Sequence, residues 1–80
     1  MKTVIQGNEI LAFEDDRLVG KIAFELHDNV LSILHTYAYE SGKGIGSILM
    51  AEALAFAERN HYTVVPVCSF AQKYMRLKDA

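Results

Sequence analysis

Two spacings of apolar residues divide the chain. Up to about residue 39, apolar and polar positions alternate. In RLVGKIAFELH (17–27), Leu18, Ile22, Phe24 and Leu26 share one side, with Lys21, Glu25 and His27 on the other. That two-residue period is the mark of a strand with one buried face. In VLSILHTYAY (30–39), Leu31, Ile33, His35 and Tyr37 fall together in the same way. Asp28-Asn29 between the two runs suits a two-residue hairpin, because Asp and Asn tolerate positive φ. Such a turn sets Leu26 opposite Leu31, Phe24 opposite Ile33 and Ile22 opposite His35, so both apolar sets land on one face. EILAFEDD supplies an earlier strand with Asp15, Asp16 and Arg17 as its turn, and residues 3–6 add further extended chain.

From Ile45 to Asn60 the period lengthens. Ile45, Leu49, Met50, Ala53, Leu54, Phe56 and Ala57 occupy half the circumference of a helix, and Ser47, Ala51, Glu52, Ala55, Glu58 and Arg59 the other half, with Ile48 on the polar side. After Asn60-His61, TVVPVC is a short β-branched strand and SFAQKYMRL a closing helix. The predicted fold is α+β, in layers: an antiparallel β-meander, then a β-α-β unit whose parallel strands are joined by a right-handed crossover, then a C-terminal helix. No repeat, linker or low-complexity stretch interrupts residues 1–80, which are read as a single domain.

Composition narrows the function. A chain of 80 residues, 51% hydrophobic and 22% charged, has the make-up of one small globular domain. Its net charge is −2 and its eight basic residues are scattered, which argues against nucleic-acid binding. No apolar run is long enough to cross a bilayer, and MKTVIQGNEI lacks a signal-peptide core, so no membrane association and a cytoplasmic location are expected. The single cysteine, Cys68, has no partner for an internal disulfide. His27, His35 and His61 do not cluster at ligand spacing with carboxylates or Cys68, so no metal site is expected.

The chemistry-bearing feature is YESGKGIGSILM (39–50), where Gly42, Gly44 and Gly46 stand between a strand and a helix. One reading is a tight turn with close helix–sheet packing. The other is an anion site: the first amides of the helix are unpaired, the helix dipole is positive there, and glycine lets a diphosphate approach the backbone. Lys43 would add a charge-assisted contact. The P-loop pattern fails, since no Gly-Lys-Ser/Thr triplet is present, and the dinucleotide fingerprint fails because Ser47 stands at its last glycine.

SGKGIGSILM resembles the acyl-CoA pyrophosphate loop of the GNAT superfamily of N-acetyltransferases, Gln/Arg-x-x-Gly-x-Gly/Ala, with Gly44 and Gly46 at its last two positions. Ser41 stands where that motif has Gln or Arg. With His35-Thr36 at the end of the preceding strand and VVPVCSF after the helix, the chain is similar to the small single-domain YjdJ-type subfamily over residues 18–75. The resemblance implies a minimal GNAT fold. It also implies acetyl-CoA bound by Gly42, Lys43, Gly44, Ile45, Gly46 and Ser47, with an amine acceptor that is a small molecule or a protein. Pro66 lacks the N–H for one ladder bond and marks an edge strand, or a point where neighbouring strands part. In GNATs such a parting receives the pantetheine arm, and the resemblance places its backbone partners at Tyr37, Ala38 and Tyr39.

Three residues are candidates for catalysis. Cys68 directly precedes a helix, whose positive end favours a thiolate, so an acetyl-cysteine intermediate competes with a small buried hydrophobe as its reading. His35 suits general-base work on an ammonium, and equally suits packing beside Leu31 and Ile33. The resemblance gives Tyr74 the protonation of departing CoA thiolate, against ordinary packing in which Tyr74 and Leu77 are core contacts. Ser69 caps the last helix or hydrogen-bonds the pantetheine. The expected function is acetyl transfer from acetyl-CoA to an amine, directly or through Cys68; the alternative is a non-catalytic acyl-CoA-binding module. Because the sequence ends at LKDA, an open acceptor side is expected, in a monomer or weak homodimer.

Overall fold

The computed structural model describes residues 1–79. In chain order the elements are β1 (Lys2–Gln6), β2 (Glu9–Glu14), β3 (Arg17–His27), β4 (Val30–Ala38), α1 (Ile45–Asn60), β5 (Thr63–Pro66) and α2 (Ser69–Asp79). They form one five-stranded sheet in the order β1-β2-β3-β4-β5, antiparallel except for the parallel β4–β5 pair. This is the meander, β-α-β unit and closing helix that the apolar spacing predicts. The Asp28-Asn29 hairpin is also present, with both residues at positive φ (50° and 67°) and His27 paired with Val30.

The core lies between one face of the sheet and both helices. Ile10, Ile22, Leu31 and Ile33 from the strands meet Ile45, Leu49, Met50 and Ala53 of α1 and Ala71 of α2, all buried. Helix α1 has its expected bounds. It ends where His61 turns left-handed (φ 60°) and its amide reaches back to the last helical carbonyls, a conformation that stops a helix while satisfying its C-terminal end.

Two bulges change which side chains reach the core. In β3, Ala12 pairs with Gly20 and Phe13 with Leu18, so Val19 is the extra residue. Val19 is fully buried, and Leu18, expected inside, is 39% exposed. In β4, Leu31 and Ile33 pair with Leu26 and Phe24 as expected, but the next partners are His35 with Ala23 and Thr36 with Ile22. Leu34 is the inserted residue. A single insertion inverts the alternation beyond it, so the expected pairing of Ile22 with His35 is replaced by Ile22 with Thr36. The expected sharing of one face by Leu31, Ile33, His35 and Tyr37 ends at Ile33. His35 and Tyr37 are exposed, and Thr36 turns toward the helix side.

The parallel ladder is short. It runs from Val30 and Thr63 to Ile33 and Pro66. The amides of Val67 and Cys68 then both donate to the Ile33 carbonyl, at 3.0 and 3.1 Å. Pro66 is therefore both an edge-strand residue and the last pair before the strands separate. Strand β4 continues to Ala38 with no strand partner on the β5 side among the described residues.

Candidate active site

Three structural features meet around this separation: the open end of β4, the turn into α1 and the start of α2. The turn is left-handed at Gly42 (φ 80°) and at Gly44 (φ 65°), the N-cap of α1, and a Cβ at either would meet nothing within 4 Å. No side chain among the described residues caps the helix. The Gly44 carbonyl accepts from the Ile48 amide at 3.0 Å, so the amides of Ile45, Gly46 and Ser47 belong to the first turn, which has no intrahelical acceptors. Gly42, Lys43, Gly44 and Ser47 are exposed, while the Ile45 side chain is buried in the core. A glycine cradle in open space, beside unpaired amides at the positive end of a helix, fits a diphosphate.

Gly46 has a different job. A Cβ there would lie 2.6 Å from Cζ of Phe70. The Phe70 ring rests on this glycine, seating α2 against the first turn of α1. The two readings of the glycine cluster are thus divided between its members: Gly42 and Gly44 shape an open turn, and Gly46 permits close packing.

Lys43 is not a free cation. Its Nζ donates to Glu40 Oε1 at 3.0 Å and to Glu14 Oε1 at 3.1 Å, and Arg17 Nε donates to Glu40 Oε2 at 2.7 Å. Hydrogen bonds from Arg17 and then Lys43 hold the Glu40 carboxyl below the usual glutamate range, and the bonds to Glu40 and Glu14 raise Lys43 above the usual lysine range. Glu14, Arg17 and Glu40 escape sequence reasoning because each looks like ordinary surface charge. Only folding brings the β2–β3 turn against the glycine loop.

Cys68 sits at the apex of the fork between β4 and β5. Its carbonyl accepts from the Gln72 amide at 3.1 Å, and its Sγ accepts from the Ala71 amide at 3.4 Å. Cys68, not Ser69, is therefore the N-cap of α2, with the thiol in the place usually taken by a serine hydroxyl. Ser69 is the first helical residue and is exposed. Across the fork, Thr36 Oγ1 lies 3.4 Å from the sulfur. Thr36 is a contact that alternation alone hides, since it depends on the bulge at Leu34.

The other expected residues lie apart from the thiol. His35 is next to Thr36 in sequence, but on the outer face of the sheet, where its ring stacks on Tyr37 at 5.9 Å and Tyr37 on Tyr39 at 6.4 Å. Lys21 Nζ lies 5.7 Å from the Tyr37 ring centre. This ladder runs along the part of β4 that lacks β5, and the Tyr39 amide anchors its end on the Val19 carbonyl at 2.8 Å. Ala38 is exposed between the two tyrosines. Tyr74 is half-buried, with Ser47 and Phe70 in a groove between α2 and the start of α1. It stands six residues beyond Cys68, roughly 9 Å along the helix axis. Leu77, expected as a core contact, is 66% exposed; Ala71 takes the buried position instead.

Comparison with known proteins agrees with this fold. The sequence model of a family described as GCN5-related N-acetyl-transferase matches residues 9–80. No curated protein matches the chain. A solution structure of a GCN5-like protein from Staphylococcus aureus, described as a candidate N-acetyltransferase, superposes with a TM-score of 0.77 at 21% identity, over 98% of this chain and 80% of that one. A crystal structure of PaiA N-acetyltransferase from Thermoplasma acidophilum, in complex with coenzyme A, superposes with a TM-score of 0.62 at 27% identity. That match covers 68% of this chain and only 35% of the PaiA chain.

Proposed function

The chain belongs to the GCN5-related N-acetyltransferase family, and from that premise we propose that it moves an acetyl group from acetyl-CoA to an amine through Cys68. The observation that carries this reading is the juxtaposition at one end of the β4–β5 ladder of an open left-handed glycine turn, an unpaired strand edge and a helix-capping thiol. The first-turn amides of α1 would hold the diphosphate. The free edge of β4 around Tyr37, Ala38 and Tyr39 would pair with the pantetheine amides as an added strand. The PaiA relative, named as a complex with coenzyme A, supports the same ligand here. Acetyl-CoA supplies an electrophilic thioester carbon when bound.

Cys68 acts as the nucleophile. Its sulfur forms a bond to the acetyl carbon as the donor's carbon–sulfur bond breaks, and the thiol proton leaves with the departing CoA sulfur. The amine then attacks the acetyl-cysteine, the amide bond forms, and Cys68 recovers a proton from the amine nitrogen. Hydrogen bonds from the Ala71 amide and the Thr36 hydroxyl stabilise the sulfur anion that develops in both steps. His35, presented on the outer face one residue from Thr36, serves as the base for the incoming ammonium, and Tyr74 forms a wall of the groove beside Ser47.

Intact-mass analysis after mixing the protein with labelled acetyl-CoA tests this route. A single acetyl adduct is expected on wild type and none on Cys68→Ser. Amine acetylation that survives in Cys68→Ser without an adduct would establish direct transfer. The second reading, a CoA-binding module without turnover, draws on Ser41 and on a Lys43 already held by two carboxylates. It predicts calorimetric binding of CoA with no thiol release in an amine screen.

A further inference from the structure

The two edges of the sheet are built differently. Strand β5 is four residues long and ends at Pro66. Strand β1 (Lys2–Gln6) has neither proline nor bulge, and its register with β2 runs unbroken from Lys2 opposite Phe13 to Gln6 opposite Glu9. Its outer side presents backbone amides and carbonyls with no strand partner among the described residues. Proline, bulges and charges inside a strand are what keep such edges from pairing with another chain. The interior of β1, Thr3-Val4-Ile5, has none of them, and all three residues are half-buried. Ile5 packs at the margin of the core on the helix side. Val4, opposite Leu11, lies on the uncovered face.

This edge is complementary to itself. Turned antiparallel about a two-fold axis at Val4, two β1 strands set Val4 against Val4, Thr3 against Ile5 and Lys2 against Gln6 of the other copy. Within each copy Gln6 is opposite Glu9, so Lys2 lies two strands from Glu9 of the other copy, on the same face. The two Cα atoms are then about 10 Å apart, a gap that a lysine and a glutamate side chain span together. Lys2 has no carboxylate partner among the described residues, and Glu9 receives Lys21 on Oε2 at 2.9 Å, with Oε1 left to accept. The axis repeats this pair, so two opposite-charge contacts flank a Val4–Val4 centre. On the helix side, Thr3 of one copy covers the half-buried Ile5 of the other. We propose that β1 is the contact surface of a symmetric homodimer, in which two copies of the sheet join edge to edge into one. Any extended peptide could satisfy the backbone row, but only a second copy supplies the Lys2–Glu9 match twice. The proposal goes beyond the acetyl-transfer reading and does not rest on it, and it leaves the β4–β5 fork open at the opposite edge of the sheet.

Sedimentation equilibrium from micromolar to millimolar protein, on wild type, Val4→Lys, Val4→Glu and an equimolar mixture of the two variants, decides the matter. A pairing of two short strands is small beside a standard interface, so the wild-type mass should climb from the monomer toward its double only as concentration rises. Each variant puts like charges face to face across the axis and should raise the dissociation constant about fivefold or more. The mixture puts opposite charges there and should associate more tightly than either variant alone. Amide exchange on the wild type needs no substitution and covers the case of a variant that fails to fold. Exchange within residues 3–6 should slow as protein is concentrated, while that of β4 stays the same. A wild type that remains monomeric throughout overturns the proposal and leaves the edge to an extended segment of another protein. A dimer equally tight in both variants, a mixture no tighter than its components, or exchange in β1 that ignores concentration overturns it as well.

Discussion

Single residues here carry two duties, and substitutions can separate them. Cys68 is both the proposed nucleophile and the cap of α2, its sulfur accepting the Ala71 amide. Serine is a good N-cap and alanine a poor one. Cys68→Ser should therefore abolish the acetyl adduct with a stability change within about 0.5 kcal/mol, while Cys68→Ala should cost about 1 kcal/mol more, as read from urea melts. His35→Ala leaves the thiol untouched, so the adduct should accumulate while transfer to amine slows. Gly20 tests packing alone: a Cβ there would lie 2.7 Å from the Tyr37 carbonyl oxygen and 2.6 Å from Ile45 Cγ2. Because a backbone oxygen cannot move aside as a side chain can, Gly20→Ala should destabilise by about 1–3 kcal/mol. None of these neighbours is apparent in sequence, since Gly20 meets Ile45 only when α1 lies on the sheet.

At the scale of elements, the β2–β3 turn and the glycine loop are joined by charge. Glu40 lies below its ordinary pKa in the folded chain because Arg17 and Lys43 donate to it. A depressed carboxylate contributes stability above its unfolded pKa and loses it as pH falls through the folded value. The thermal midpoint at low salt should thus drop on acidification through and below the usual glutamate range, and Glu40→Gln should flatten that part of the profile. Arg17 and Lys43 are raised, so their contribution persists up to the usual lysine range and fades only in stronger alkali. All three groups are solvent-facing, and salt should erase most of the effect. Hydrogen exchange tests the loop these charges hold. The amides of Val67 and Cys68, bonded to the Ile33 carbonyl, should be protected in the free protein. Those of Ile45 to Ser47 should exchange quickly until CoA is added. Element identities and the span of α1 were legible in the chain, because periodicity and turn chemistry are local properties, but the strand expected over TVVPVC stops at Pro66, where the Val67 and Cys68 amides turn out of the ladder to share the Ile33 carbonyl. The bulge at Leu34 was not, because it is defined by a mismatch with partners on β3.

The whole molecule is two layers, with both helices on one face of the sheet and no helix packed on the other among the described residues. Among the described residues, no helix is long and apolar enough to cross a membrane. The His35–Tyr37–Tyr39 ladder lies on the uncovered face and Cys68 at the fork between β4 and β5, so in the proposed reaction an amine and a thioester carrier would approach from different sides. If the proposed amine acetylation holds, the uncovered sheet face predicts weak discrimination among small primary amines: a panel should give kcat/KM values within roughly a hundredfold, the span one or two pocket contacts produce.

The order of residues by itself determined the meander, the Asp28-Asn29 hairpin, the span of α1, the parallel strand after it and the glycine turn, because each is written in spacings of a few residues. It also placed a lone cysteine before a helix. Only the tertiary structure decided that Thr36 rather than His35 faces that thiol, that the thiol caps α2, that Lys43 is held by Glu14 and Glu40, and that Gly46 receives Phe70 while Gly44 stays open. The Thr36–Cys68, Lys43–Glu14 and Gly46–Phe70 contacts join residues 32, 29 and 24 positions apart. A long-range contact is fixed by register and packing, and one inserted residue in a strand is enough to exchange the side chain that reaches the site.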